Sequence, residues 1–281
     1  MELWYTEVQT DNVKFSMRVK ETLFTKKSEF QQIDILDTYD FGKVLVIDGW
    51  TMITEKDEFI YHEMITHVPL TVNTNIKNVL VIGAGDGGTV RELLRFPSIE
   101  HIDMVELDEE VVLASEKFLP FTSCKLRDPK VKLYFQDGIK FVEGLENKYD
   151  LIIVDSTDPI GPGEGLFTLD FYKNCYKALT ENGILVNQGE SPYYDMNKKE
   201  MQRANKKLKE IFPICEVYQY MIPTYPSGHW FFGFASKTLH PVTDYNEEYY
   251  KSLNLEDQYY NEEIHKAAFA LPNYVKNLLK E

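Results

Sequence analysis

Val79-Leu80-Val81-Ile82-Gly83-Ala84-Gly85-Asp86-Gly87-Gly88 is the stretch on which the reading of this chain turns. A short run of Val, Leu and Ile makes a strand, and the glycines after it spell Gly-x-Gly-x-x-Gly at 83, 85 and 88. Glycines let a backbone turn sharply and approach a ligand closely, so the stretch reads as strand, ligand-binding turn and helix. An acidic residue, Glu106, ends the next apolar run, 23 positions after Gly83, where a carboxylate can accept hydrogen bonds from ribose hydroxyls. This pattern by itself fits either an NAD site or an S-adenosylmethionine-type site.

Outward from the loop, apolar runs alternate with helix-length segments. The runs are Val79–Ile82, Ile102–Val105, Val131–Phe135, Leu151–Val154 and Ile184–Asn187, with two further strands expected at Ile214–Met221 and Trp230–Ser236. Such alternation predicts an α/β fold, a Rossmann-like, mainly parallel sheet with helices on both faces, of the kind found in S-adenosylmethionine methyltransferases. Upstream, Gln32–Asp37 and Gly42–Gly49 carry β-branched residues between Gly and Asp turn signals, which predicts two or three hairpins. The expected division is therefore a small N-terminal β-hairpin domain over 1–54 and a catalytic domain over 55–281. The spacing of Phe59, Ile60, Met64, Ile65 and Val68 predicts a helix from Asp57 to about Leu70, closed by Pro69. The Tyr-, Glu- and Lys-rich tail beyond Pro241 is expected to cover the surface.

Asp86 separates the two ligand classes. A carboxylate at a helix N-terminus opposes a pyrophosphate but attracts a cation, and a decarboxylated sulfonium cofactor carrying a free ammonium is such a cation. Asp86 could also simply cap the following helix. Gln136-Asp137-Gly138 ends the third strand, where the Asp side chain and a backbone amide could read an adenine edge. Gly83–Gly88, Glu106 and Asp137 follow three successive strands, and ligands of such sheets bind at the strands' carboxyl ends. The fourth strand runs into Val154-Asp155-Ser156-Thr157-Asp158-Pro159, which adds two carboxylates to the same crevice. Alkylating an amine needs a neutral nitrogen, and an alkylamine is mostly protonated at neutral pH. A buried carboxylate aimed at that nitrogen can take the proton. Asp155 is read as the base and Asp158 as an anchor for the diamine. Ile160-Gly161-Pro162-Gly163-Glu164-Gly165 follows as a flap or an ordinary surface connection.

Composition narrows the field. The 281 residues, 43% of them hydrophobic, can bury a large core, and a formal net charge of −15 argues against nucleic acid and anionic membrane as partners. No apolar stretch approaches the roughly 20 residues that span a bilayer, and the N-terminus has no leader pattern, so a cytoplasmic location is expected. Cys124, Cys175 and Cys215 are odd in number and widely spaced, which fits buried thiols rather than a disulfide framework. His62-Glu63-Met64-Ile65-Thr66-His67 nearly spells a zinc-hydrolase motif, but the second His falls one residue late, on the wrong helical face, so no metal site is expected.

With these segments in hand, the chain resembles the spermidine/spermine synthase family, the polyamine aminopropyltransferases, and within it the bacterial spermidine synthases. The resemblance is carried by Asp57-Glu58-Phe59-Ile60-Tyr61-His62-Glu63-Met64, by Gly83–Gly88 with Asp86, by Val154–Pro159 with Gly161-Pro162, by Leu166-Phe167, and by Pro223-Thr224-Tyr225-Pro226-Ser227-Gly228. It implies transfer of an aminopropyl group from decarboxylated S-adenosylmethionine, a co-substrate, to putrescine, with no further cofactor. It also implies that Asp155 is the proton acceptor, that Asp86 and Asp158 hold the ammoniums, and that Gln31, Tyr61, His62, Gln188, Tyr225 and Trp230 contact acceptor or product. Gly83, Gly85, Glu106, Asp137, Gly138 and Pro162 would surround the nucleoside. A homodimer or homotetramer is implied as well. Ala84 stands where the family more often has glycine, a change that is tolerated unless the position needs a positive φ. The remaining alternatives are an amine N-methyltransferase, a dehydrogenase, and a polyamine-binding protein without catalysis.

Overall fold

The computed structural model describes residues 2–156 and 165–280. Its first strands, β1 (Leu3–Thr10), β2 (Val13–Lys27), β3 (Gln32–Thr38), β4 (Lys43–Ile47) and β5 (Trp50–Thr54), pair in chain order as an antiparallel sheet. Ile33, Ile35, Leu45, Ile47 and Ile53 gather on one face of it and share a core with Val111, Ala114 and Leu119. That contact seats the small sheet against the rest of the chain.

The remainder is built on β6 (Asn78–Gly83), β7 (His101–Glu106), β8 (Val131–Phe135), β9 (Tyr149–Asp155), β10 (Leu179–Gln188), β11 (Ile214–Met221) and β12 (His229–Ser236). Their order across the sheet is β11-β12-β10-β9-β6-β7-β8, with β8, β7, β6, β9 and β10 parallel and the last two strands antiparallel. Around them lie α1 (Glu58–Val72), α2 (Gly88–Leu93), α3 (Glu109–Phe118), α4 (Pro120–Ser123), α5 (Gly138–Val142), α6 (Leu169–Ala178), α7 (Asp195–Ile211), α8 (Glu247–Leu253), α9 (Glu262–Ala268) and α10 (Asn273–Leu278). The strands read as continuous apolar runs because both faces are covered. Val79 and Val81 join one core layer with α1, whereas Leu80 and Ile82 join the opposite layer with α6. Leu151 and Ile153 alternate with Ile152 and Val154 in the same way. This is the expected Rossmann-like arrangement, in which a buried parallel strand loses the polar alternation of a one-sided sheet.

The chain enters the sheet at β6, steps outward to β8, and returns to the other side at β9. The order therefore reverses between β6 and β9, and the crevice for a ligand opens there. The two strands are in register at Gly83 opposite Asp155, and the Ala84 N–H donates to the Asp155 carbonyl at 2.9 Å. A Cβ on Gly83 would lie 2.0 Å from that carbonyl oxygen, and its φ is +89°. Glycine is required at this point of the motif because the loop begins where the two strands are closest.

Several local expectations are corrected. Pro69 does not end α1, which runs on to Val72. The missing N–H costs one backbone bond, and the Thr71 hydroxyl next to it donates to the carbonyls of His67 (2.8 Å) and Val68 (3.1 Å). Ala84 does sit at a positive φ, +64°, a conformation costly for a residue with a Cβ. Cys124 is exposed rather than buried, and Cys215 is only partly covered. The tail does more than coat the surface: Tyr260 and His265 are buried, and the Glu63 carboxylate accepts the backbone N–H groups of Gln258, Tyr259 and Tyr260 at 2.8–2.9 Å.

Two alanine substitutions at left-handed glycines separate strain from closeness. Gly49 has φ +85° with open space around it, so Gly49→Ala should cost only the conformational strain, about 1–2 kcal/mol. Gly83→Ala adds a collision with β9 and should lower the melting temperature severalfold more and abolish turnover. Equal melting shifts in calorimetry would contradict the packing described.

Candidate active site

Asp155 is the last residue of β9 and Asp86 stands in the glycine loop after β6, so the two carboxylates face one another across the reversal point. Both oxygens of Asp155 are taken by donors: Tyr61 Oη reaches Oδ1 and Thr89 Oγ1 reaches Oδ2, each at 2.6 Å. Asp86 accepts the Gly88 N–H at 2.8 Å and lies 3.3 Å from His62 Nε2. It is thus both a cap for the start of α2 and part of a charged cluster. The His62 ring presses on the loop so closely that a Cβ on Gly88 would fall 2.2 Å from it. His62 Nδ1 meets Glu58 at 2.5 Å, and Glu58 is held in turn by both Nη atoms of Arg91 at 2.8 and 3.0 Å.

The environment pushes the two carboxyls in opposite directions. Burial raises both. At Asp86 the His62 cation and the Gly88 N–H overcome it and hold the carboxyl below its ordinary range. At Asp155 burial and the neighbouring Asp86 charge outweigh His62, Thr89 and Tyr61, and the carboxyl is raised. Two carboxylates with divergent affinities for a proton define an anion and an acceptor. His62, although burial opposes its charge, is raised to about 10 by Asp86 and Glu58, so it stands as a cation at neutral pH.

The cavity above them extends in two directions. On one side Gly83, Gly85, Glu106, Asp137 and Gly138 line it. Burial lifts the Glu106 carboxyl to about 7 against the Asp108 N–H, which it accepts at 3.0 Å. Asp137 caps α5 by accepting the Ile139 N–H at 2.8 Å, so its turn role and its place in the cavity coexist. On the other side are Tyr61, Gln188, Tyr225 and Trp230, whereas Gln31, expected among the acceptor contacts, lies on the first side beside Asp108 and Glu106. Tyr225 and Trp230 meet edge to face at 5.4 Å, Trp230 Nε1 donates to the Pro226 carbonyl at 3.0 Å, and the Tyr225 hydroxyl donates to the Met52 carbonyl. Gln31 donates to Asp108 at 3.1 Å. All the sequence-predicted residues that are described, including His62 and Asp86, line this one cavity. Asp158, Pro162 and the Gly/Pro-rich segment expected as a flap lie outside the described residues.

Three contributors escaped the sequence reading. Thr89 grips Asp155 from the second position of α2. Glu7 of β1 is 3% exposed, lines the cavity and accepts the Thr51 N–H at 2.8 Å. Its only sequence signal was polar residues alternating along a strand. Asp57 looks like a helix cap but makes no such bond; its carboxylate accepts from Thr224 N and Oγ1 and from Thr54 Oγ1, which fixes the loop bearing Tyr225.

His62, Asp86 and Asp155 bring ligand-type atoms within 4.8 Å of one another, as do His67, Glu92 and Asp257. Each group already contains cations. His62 serves the first. In the second, Glu92 is paired with Arg91, Arg95 and His67 at 2.6–2.9 Å, and Arg95 meets Asp257 at 2.8 Å. Both therefore read as ion-pair clusters.

Fold and site together define a Rossmann-like α/β protein with an acidic centre in a cavity at the point where the strand order reverses. A family model described as "Spermine/spermidine synthase domain" matches residues 58–247, and one described as "Spermidine synthase tetramerisation domain" matches 3–55. A polyamine aminopropyltransferase of Clostridioides difficile is 64% identical over 282 residues, covering 100% of both chains, and one of Alkaliphilus metalliredigens is 61% identical over 280 residues, covering 100% of this chain and 99% of that one. A crystallised spermidine synthase in complex with the transition-state analogue AdoDATO superposes with a TM-score of 0.96 at 44% identity, covering 99% of this chain and 95% of the other. The spermidine synthase of Thermotoga maritima superposes with a TM-score of 0.93 at 43% identity, covering 99% and 94%. The chain belongs to the spermine/spermidine synthase family, and its activity is that class's aminopropyl transfer.

If Asp86 receives the donor's ammonium, Asp86→Asn should weaken decarboxylated S-adenosylmethionine about ten- to a hundredfold, the worth of one hydrogen bond to a charged group, and methylthioadenosine much less. Calorimetric titration of the two nucleosides checks this; equal weakening would remove Asp86 from that role.

Proposed function

We propose that this chain moves the aminopropyl group of decarboxylated S-adenosylmethionine to putrescine, giving spermidine and 5′-methylthioadenosine. The observation that carries the reading is Asp155: a partly buried, raised carboxyl held at both oxygens, with Asp86 across the reversal point. The nitrogen lone pair of the diamine attacks the methylene carbon bonded to the sulfonium. A C–N bond forms, the C–S electrons return to sulfur, and the displaced proton passes to Asp155. The sulfonium is its own leaving group, so the protein's main task is to hold nitrogen and carbon in line and take the proton.

Ribose on Glu106, adenine on Asp137 and Gly138 against Gly83, Gly85 and Pro162, and the donor's ammonium on Asp86 complete one half of the assignment. Asp158, Tyr61, His62, Gln188, Tyr225 and Trp230 make up the diamine half, with Glu7 added, while Gln31, bonded to Asp108 beside Glu106, belongs with the nucleoside half. Aromatic faces suit an alkylammonium because cation–π attraction and methylene packing act together.

This chemistry needs neither metal nor cofactor, and turnover should persist in chelator. We place the reaction in the cytoplasm; among the described residues no helix is long and apolar enough to cross a membrane. We treat residues 1–54 as an assembly domain and 55–281 as the catalytic domain of a homodimer or homotetramer. Support comes from the description of the family model over 3–55 and from Leu3, Trp4 and Val8, each about half exposed on edge strand β1.

Asp155→Asn should keep methylthioadenosine affinity within about threefold while turnover falls by at least a hundredfold, the range expected for loss of a general base. Near-normal turnover would remove Asp155 from the base's role. Rates with putrescine, cadaverine, agmatine and spermidine should rank putrescine first, and another leader would reassign the acceptor.

A further inference from the structure

Thr89 has no part in the assignment above, yet it makes one of the two bonds to the reacting carboxylate. It is fully buried, and it sits where the glycine loop becomes α2. A threonine inside a helix ordinarily returns its hydroxyl proton to a carbonyl one turn back. Thr66 and Thr71 of α1 do this, donating to the carbonyls of His62 (2.5 Å) and His67 (2.8 Å). Thr89 instead crosses to a carboxylate on another strand, 66 residues away in the chain, at 2.6 Å. Its own helix makes no claim on it: α2 starts at Gly88, so no earlier helical turn offers a carbonyl.

We infer that Thr89 is a positioning residue for the proton acceptor, fixing Asp155 Oδ2 as Tyr61 fixes Oδ1. An ionised carboxylate offers about four lone-pair sites, and one donor on each oxygen sets its plane and leaves the other sites for the substrate ammonium. A single donor would leave the group free to swing about that bond. Among the described residues no cation forms an ion pair with Asp155, and these two hydroxyls are the side-chain donors that hold its carboxylate, with the His62 charge acting only from farther off. A hydroxyl is suited to the place because it donates to the carboxylate before transfer and can turn to accept from the carboxylic acid afterwards. An ammonium there, with donors and no acceptor, could not make that exchange.

This role rests on the aminopropyl-transfer reading, and the test keeps the two apart. Wild-type enzyme, Thr89→Val and Thr89→Ser are assayed side by side for spermidine formation across pH, with methylthioadenosine binding measured on each. Thr89→Val removes the donor at nearly constant volume. It should lower kcat about tenfold, as expected for one hydrogen bond to a charged group, and leave methylthioadenosine affinity unchanged. The sign of the pH effect follows from the charge. A donor to Asp155 favours its ionised form, so losing it raises the carboxyl further. The base is active only when unprotonated, and the acid limb of kcat/KM must therefore move to higher pH. Thr89→Ser should restore both kcat and the wild-type limb. A Val variant with the wild-type limb and kcat, or a Ser variant as impaired as Val, would overturn the inference, the second by showing that the methyl group's packing matters. Should Thr89→Val fail to fold, Thr89→Ala against Thr89→Ser makes the same comparison, since those two differ only by the hydroxyl. A wild-type enzyme that forms no spermidine would instead overturn the function itself.

Discussion

Two carboxylates held against one another in a buried crevice are the constraint on which the rest of this molecule depends. Asp86 and Asp155 both lose hydration, and each must find compensation without neutralising the other's role. Asp86 finds it in a cation, His62, and in the first amide of α2. Asp155, among the described residues, receives two hydroxyls, those of Tyr61 and Thr89. The difference in partners, rather than any difference between the two side chains, makes one an anchor for positive charge and the other a proton acceptor.

Maintaining His62 as a cation requires further charge behind it, and α1 and α2 supply it. Glu58, Glu92 and Asp257 alternate with Arg91, Arg95 and His67 in a row of ion pairs that runs from the crevice to the C-terminal tail. With both histidines protonated, the anions Asp86, Glu58, Glu92 and Asp257 are matched by His62, Arg91, His67 and Arg95. Among the described residues no cation pairs with Asp155 or Glu106, and that deficit suits a site whose substrates arrive positively charged. Breaking any one pair inside such a cluster leaves an uncompensated buried charge, which is far costlier than losing an exposed pair. The tail segment at 257–260 is therefore part of the site's support although it lies outside the cavity.

Much of this was legible in the sequence. The seven strands of the larger sheet fall within a few residues of their apolar runs, because parallel strands buried on both faces leave uninterrupted Val, Leu and Ile. Asp86, Glu106, Asp137 and Asp155 were legible because each follows a strand, and the fold gathers strand ends. What was hidden depends on partners distant in the chain. Thr89 reads as an ordinary helix residue, Glu7 as one polar side chain of a hairpin, and Asp57 as the first residue of a helix, until the fold brings Asp155, the cavity and Thr224 to them. Pro69 misled because a proline costs the helix only one backbone bond, and tertiary packing carries the helix past it: Val68, Leu70 and Val72 are all buried in the core. The sequence leaves open whether Ala84 carries a positive φ, because nothing in a glycine-rich string says which member does; the structure puts it at +64°. His62 and His67 were rightly separated by their spacing, since five residues place them about 140° apart around a helix.

The central claim is that the acidic crevice selects a donor lacking a carboxylate. The most direct measurement is product analysis by mass spectrometry after incubating the protein with putrescine and either decarboxylated or intact S-adenosylmethionine. Spermidine and methylthioadenosine from the decarboxylated donor, with no reaction of the intact one, is the result this account predicts. Methylated amine from the intact donor would contradict it, because Asp86 would then be facing the carboxylate it is argued to repel.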